Sequence, residues 1–208
     1  MSPRPYSSPR RDAAATQTRE RIVAAAAAIL GAAEASGAFS LDAVAKQAGV
    51  TRLTVYNQFG SRRALLEAVF DQKAASGGLH RIAEVMRGSD PRAGLLEIIA
   101  IFCGFWSGDP GAIGRLIAAG ATDPEFDAGV RERNERRRHL LAVLVDRIAE
   151  GSDKTHSETA LGELVDVLFA LTSFTFFSQL TSGGRPPEAA CRLIQDLAKD
   201  AVRRALGG

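Results

Sequence analysis

Between Phe39 and Leu66 the chain reads FSLDAVAKQAGVTRLTVYNQFGSRRALL. Within it, Val55 and Phe59 are the apolar members of a short helical stretch, which leaves Arg52, Thr54, Tyr56 and Asn57 on the face turned away from them. Those side-chain types recognise rather than break bonds. A guanidinium donates two parallel hydrogen bonds to the acceptors on a guanine edge, and hydroxyls and amides bind phosphate oxygens or base edges. Two short helices must position them. Ser40 can cap a helix holding Leu41, Val44 and Ala45, and Thr51 can cap a second that runs to about Gln58. Phe39 with Val44, and Val50 with Val55, have the spacing of hydrophobic staples. Gln47-Ala48-Gly49-Val50 makes the tight turn between them, Gly49 being free to adopt the left-handed conformation at a helix end. Helix, glycine turn and helix make a helix-turn-helix, whose second helix can lie in a major groove.

The elements around this motif are helical as well. A first helix runs from about Thr16 to Ala33, with Ile22, Ala25, Ile29 and Ala33 on one stripe and Val23, Ala27 and Leu30 beside it. Ser61 opens a longer helix through Leu65, Leu66, Val69 and Phe70 that fades near Ser76-Gly77-Gly78. Further on, Asp90-Pro91, Asp109-Pro110 and Asp123-Pro124 mark three helix starts, Asp capping free amides and Pro giving up an amide that had no partner. The last two helices span about 156–181 and 187–206, parted by Ser182-Gly183-Gly184-Arg185-Pro186. The expectation is an all-α chain of about nine helices with no strand. Its order is a disordered basic arm at 1–15, a helix-turn-helix unit of three helices at 16–73, and a larger helical unit at 74–208.

Charge is distributed unevenly. Residues 1–73 carry ten Lys/Arg against six Asp/Glu, whereas 74–208 carry sixteen against eighteen, so one end suits a polyanion. Catalysis finds no support: there is no GxSxG, P-loop, HExxH or strand-borne GxGxxG, and His80, His139 and His156 are too scattered for a metal site. Neither a catalytic residue, a metal nor a cofactor is expected. Cys103 and Cys191 sit in apolar helical patterns without CxxC spacing and read as small buried hydrophobes, which fits a reducing cytoplasm. No apolar run approaches the ~20 residues of a membrane span, and the start lacks the apolar stretch of a secretory signal.

RERIVAAAAAIL in the first helix, then FSLDAVAKQAGVT, TVYNQF and SRRALL, resemble the TetR family of bacterial transcriptional repressors. The chain keeps that family's Ala45, Ala48, Gly49, Val50, Tyr56, Phe59, Ser61, Leu65 and Leu66. It departs at Leu53, where a small residue is common, and at Gln58, where an aromatic or His is usual. The resemblance implies that Ser40 touches phosphate and that Arg52 and Leu53 reach base edges. It places Thr51, Thr54, Tyr56 and Asn57 on the DNA backbone or in the groove, and has Arg62 replace a phosphate-gripping Lys. It also implies double-stranded DNA with a palindromic operator as partner, and a homodimer formed through 156–181 and 187–206. Dimerisation has its own logic, since one recognition helix covers only a few base pairs.

For the second unit the resemblance implies a small-molecule effector. Phe102, Phe105, Trp106, Phe126, Phe169, Phe174, Phe176 and Phe177 gather on its middle helices, either as core or as the lining of an apolar cavity. His139 follows Arg136-Arg137-Arg138, a charge run read as a solvated face, and could face a ligand. The functional expectation is a ligand-responsive, sequence-specific repressor. The rival is a helical small-molecule or partner-protein binding module whose helix-turn-helix is only structural; a steep salt dependence of DNA binding separates them.

Overall fold

Side-chain caps divide this chain into helices. In the computed structural model residues 9–32, 39–120, 124–152 and 155–207 are described. Among them are eleven α-helices and no strand. They are α1 (Pro9–Gly31), α2 (Leu41–Ala48), α3 (Arg52–Phe59), α4 (Arg62–Ser76), α5 (Ile82–Val85), α6 (Pro91–Gly108), α7 (Pro110–Gly120), α8 (Pro124–Glu150), α9 (Glu158–Leu171), α10 (Phe174–Thr181) and α11 (Pro187–Leu206). A 3-10 turn at Leu79–Arg81 precedes α5. The chain divides into two compact units, 1–72 and 73–208.

Two helices exceed the expected nine. One is α5, a single turn whose exit is held by Arg147: its Nη1 donates to the Met86 carbonyl at 2.9 Å and its Nη2 to that of Gly88. The other arises because the expected 156–181 helix is two helices bent by 50°. Thr172 turns its hydroxyl back onto the Leu168 carbonyl at 2.9 Å, and Ser173 Oγ accepts from the Phe176 amide at 3.1 Å and so caps a new helix. At the other end, α1 begins at Pro9, well before the Thr16 expected. Asp12 in its first turn and the alanines 13–15 favour helix there, and Thr16 and Thr18 donate back to the carbonyls of Asp12 and Ala14 at 3.0 and 2.9 Å. Residues 1–8 of the expected arm, Ala33, the break at Gly37 and the Asp123 cap lie outside the described residues.

In the first unit α1 buries Ile22, Ala26 and Leu30, α2 Val44 and Ala45, α3 Val55 and Phe59, and α4 Leu65, Leu66 and Val69. α1 packs on α2, and α2 on α3. In the second unit α6 is central. Leu95, Ile98, Ile99, Ile101, Phe102, Cys103, Phe105 and Trp106 are all buried, so most of its circumference is apolar and packs against α7, α8, α10 and α11, while Ala93, Glu97 and Gly104 lie on a narrow outward stripe. Asp90 caps it, accepting from the Arg92 and Ala93 amides at 2.9 and 3.0 Å. α9 packs on α8 and α11. Cys191 departs from expectation: near the start of α11 it is only half-buried, whereas its neighbour Ala190 is the residue of that turn that is fully buried. Among the described residues no single helix is long and apolar enough to cross a membrane; the pairs α6–α7 and α9–α10 reach that length only together, across bends of 90° and 50°.

Candidate functional site

α3 is aimed by its two ends. At its start, Thr51 Oγ1 accepts from the Thr54 amide at 3.1 Å. Before it, Gly49 ends α2 in the left-handed conformation (φ 65°, ψ 37°), and the Val50 amide donates back to the Ala45 carbonyl at 3.0 Å. At its far end Arg19 of α1 donates from Nη1 to the Gln58 carbonyl at 2.7 Å and lays its guanidinium 4.2 Å from the Phe59 ring centroid. Arg19 is a supporting residue that the sequence reading did not pick out. Its place one turn before the buried Ile22–Val23 stripe is the signal that could have found it.

With Val55 and Phe59 buried, α3 turns Arg52, Leu53, Tyr56 and Asn57 to solvent. Leu53 is 66% and Tyr56 57% exposed, an unusual disposition for large apolar side chains on a packed helix. Arg52 Nη1 meets Asp42 Oδ2 of α2 at 3.2 Å. Thr51 and Thr54 share a hydroxyl–hydroxyl hydrogen bond of 2.8 Å, and Thr54 is half-buried. Ser40 Oγ accepts from the Ala43 amide at 3.2 Å, which leaves its hydroxyl proton to donate. Arg62 is half-buried at the head of α4, its guanidinium 5.5 Å from the Phe39 ring centroid. All eight of these residues fall on the α2–α3–α4 segment.

The second unit gathers some of the expected aromatics around Trp106. Its ring lies 4.6 Å from Phe105, 5.6 Å from Phe174 and 6.1 Å from Phe102, centroid to centroid. Trp106 Nε1 donates to the Thr172 carbonyl at 3.0 Å. Arg137 of α8 donates from Nη1 to the same oxygen at 2.7 Å, with its guanidinium 4.3 Å from the Phe169 ring and 5.8 Å from Phe102. Phe126 and Phe177 are fully buried core side chains. His139 points elsewhere: it is exposed and lines an open groove of about 540 Å³ with Glu132, Glu135, Arg136 and Leu140.

Arg137 corrects the reading of its charge run. Arg136 is exposed and Arg138 pairs with Asp166, but Arg137 is 92% buried, since its exposure is 8%. Its Nε is buried without a hydrogen-bond partner, and no carboxylate pairs with it among the described residues. Burial, then the neighbouring Arg138 charge, lowers its pKa to about 10. The residue spacing explains the direction it takes, for 137, 141, 144 and 148 form one i, i+4, i+7, i+11 stripe, and Leu141, Leu144 and Ile148 are buried.

Residues 22–69 match the family model described as bacterial regulatory proteins, tetR family. The amino-terminal unit is of the TetR family. That matched stretch holds the TetR helix-turn-helix and each of the eight candidate DNA contacts, from Ser40 to Arg62. The TetR-type fold continues through the rest of the chain. A TetR-like transcriptional regulator from Rhodococcus sp. RHA1 superposes with a TM-score of 0.64 at 21% identity, covering 92% of this chain and 97% of that one. A TetR transcription regulator from Haloarcula marismortui ATCC 43049 gives 0.67 at 17% identity, covering 91% and 98%. The multidrug binding protein EbrR, complexed with imidazole, gives 0.57 at 22% identity, covering 95% and 97%. At such identities the likeness is one of fold. No curated protein sequence matches the chain.

Proposed function

We propose that this chain is a ligand-responsive, sequence-specific transcriptional regulator, acting as a homodimeric repressor on a palindromic operator, in the cytoplasm where that DNA is. The observation that carries the reading is the outward face of α3, where Arg52, Leu53, Tyr56 and Asn57 stand exposed on a helix anchored at both ends. A packed helix gains nothing from exposing Leu53 and Tyr56, whereas a major groove offers Leu53 the methyl of thymine and Tyr56 a phosphate. Ser40, Thr51, Thr54 and Arg62 stand at the ends of neighbouring helices, where donors meet phosphate oxygens. The first unit is then the DNA reader and the second the sensor and dimerisation unit.

Dimer formation is assigned to α9 and α11. They pack together and leave a groove lined by Ala160, Leu164, Val167, Ala201 and Ala205, with Glu163 and Arg204 also on its wall, and Val167 is 45% and Leu197 38% exposed. The effector is assigned to the surroundings of Trp106 and Arg137. A buried guanidinium between two phenyl faces, lacking a counter-charge, suits a ligand that brings an anionic group to an aromatic site. Effector and operator then oppose each other by the same factor in either direction.

Selection of random duplex DNA by the purified protein, followed by anisotropy titrations at two salt concentrations, tests the reading. A palindrome bound far more tightly than random duplex, with affinity falling steeply as salt rises, is the expected result. Weak binding that ignores sequence would leave the rival, a helical binding module, in its place.

A further inference from the structure

α6 and α11 lie antiparallel. Gln195 Nε2 donates to the Leu96 carbonyl at 3.0 Å, while Arg92 and Leu95, nearer the start of α6, line one groove with Lys199, Val202 and Arg203, nearer the end of α11. On α6, Arg92, Leu96, Ile99 and Cys103 form a stripe at i, i+4, i+7 and i+11. On α11, Cys191, Gln195, Ala198 and Val202 repeat that spacing. With the two stripes running in opposite directions, Cys103 falls opposite Cys191, and each free thiol alters the acidity of the other. Cys103 is buried at 6% exposure and Cys191 is half-buried, so a small solute reaches Cys191 first.

The pair is chemically unequal. Hydrogen bonding from Cys103, against the opposing effect of burial and with help from the Arg192 charge, brings Cys191 down to about 7. The same bond and burial push Cys103 up, so it keeps its proton. A half-exposed thiol made more acidic, beside a buried thiol made less so, is the arrangement of an attacking and a resolving cysteine.

We propose that Cys191 and Cys103 are a peroxide-reactive dithiol that closes a disulfide between α6 and α11. The Cys191 thiolate attacks one oxygen of a hydroperoxide, the O–O bond breaks, and Cys191 becomes a sulfenic acid while the leaving oxygen takes a proton as an alcohol or water. The Cys103 sulfur then attacks the Cys191 sulfur. The S–S bond forms, and the sulfenic hydroxyl leaves with the Cys103 proton as water. With hydrogen peroxide the sum is two thiols and one peroxide giving one disulfide and two waters. Such a bond is transient in a reducing compartment, which suits a redox input to this unit. The inference stands on the α6–α11 contact and is independent of what α3 binds.

The test uses the reduced full chain and hydrogen peroxide. Thiols titrated in denaturant should fall from two to none, the intact mass should drop by two hydrogens, and digestion should yield one peptide pair linked through Cys103 and Cys191 within a single chain. Dithiothreitol should restore both thiols. In Cys103→Ser, the sulfenic acid on Cys191 should persist and be trapped by dimedone; in Cys191→Ser, the thiol of Cys103 should survive the same dose. Thermal melts of both variants verify that they fold, and the wild-type result does not depend on them. Two thiols surviving in the wild type, a link formed only between chains, or oxidation of Cys191 without loss of Cys103 would overturn the proposal.

Discussion

Arg52 is engaged before any DNA arrives. Its partner Asp42 is 3.2 Å away, and the two side chains are 68% and 67% exposed. A pair so exposed contributes roughly 0–1 kcal/mol, so a guanine edge or a phosphate can take Arg52 from Asp42 at little cost. On the proposed reading Asp42 aims the guanidinium and also places a negative charge beside the DNA. Asp42→Asn should therefore tighten binding to every duplex several-fold at low salt, and anisotropy would show the gain shrinking as salt rises. Arg52→Ala should change which base pair is preferred, whereas Arg62→Ala should weaken all duplexes alike; an Arg52→Ala variant with unaltered preference would remove that residue from base reading. Asp109 makes a prediction of another kind. Burial pushes its carboxyl upward, but the hydrogen bonds from Lys73 and the Ala112 amide, with the charges of Lys73 and Arg115, outweigh that and hold it below the ordinary carboxylate value. The folded chain thus binds this proton less readily than the unfolded chain. The stabilisation is complete above a pH of about 4 and is lost as the pH falls through the lower folded value. Melting curves of wild type and Asp109→Asn should differ at pH 7 and converge in acid.

At the scale of elements, α8 carries a conflict. It brings an uncompensated cation into the interior, where hydrogen bonding to Thr172 and two phenyl faces offset only part of the desolvation. Arg137→Met keeps the volume and removes the charge, and Trp106 still satisfies the Thr172 carbonyl. Chemical denaturation should find that variant unchanged or more stable, by about 1–4 kcal/mol at most, while Arg137→Ala, which leaves a void, is less stable. If Arg137 serves an effector, Arg137→Met also loses the response to anionic ligands. The helix-turn-helix was legible because its determinants are local: Ser40 and Thr51 cap within three residues, and Gly49 alone suits its turn. Arg137 was harder to read. A run of three arginines resembles a solvated face, and only the stripe it shares with Leu141, Leu144 and Ile148 shows that the middle one turns inward. The break at Thr172–Ser173 hid inside a continuous apolar pattern, although Ser173 carries a cap signal. The meeting of Cys103 with Cys191 depends on how two distant helices pair, and no local spacing encodes that.

For the whole molecule, the two units divide the chain at residue 72, and the features assigned to DNA and to association fall on opposite sides of that division. Val167 and Leu197 are the exposed apolar side chains of α9 and α11. Val167→Asp with Leu197→Asp should convert a dimer into a species of 22.0 kDa by light scattering, and operator affinity should collapse with it because a single recognition helix meets only half a palindrome. A mass already equal to one chain in the wild type would remove α9 and α11 from that role. Trp106 has a further consequence. It is the chain's one tryptophan, and both tyrosines, Tyr6 and Tyr56, precede residue 73. Light absorbed at the red edge of the protein spectrum therefore excites a single indole, fixed at the Thr172 carbonyl between three phenyl rings and next to Arg137. The protein carries a built-in fluorophore at the proposed effector site, so candidate compounds can be titrated by its emission without labelling the protein or adding DNA.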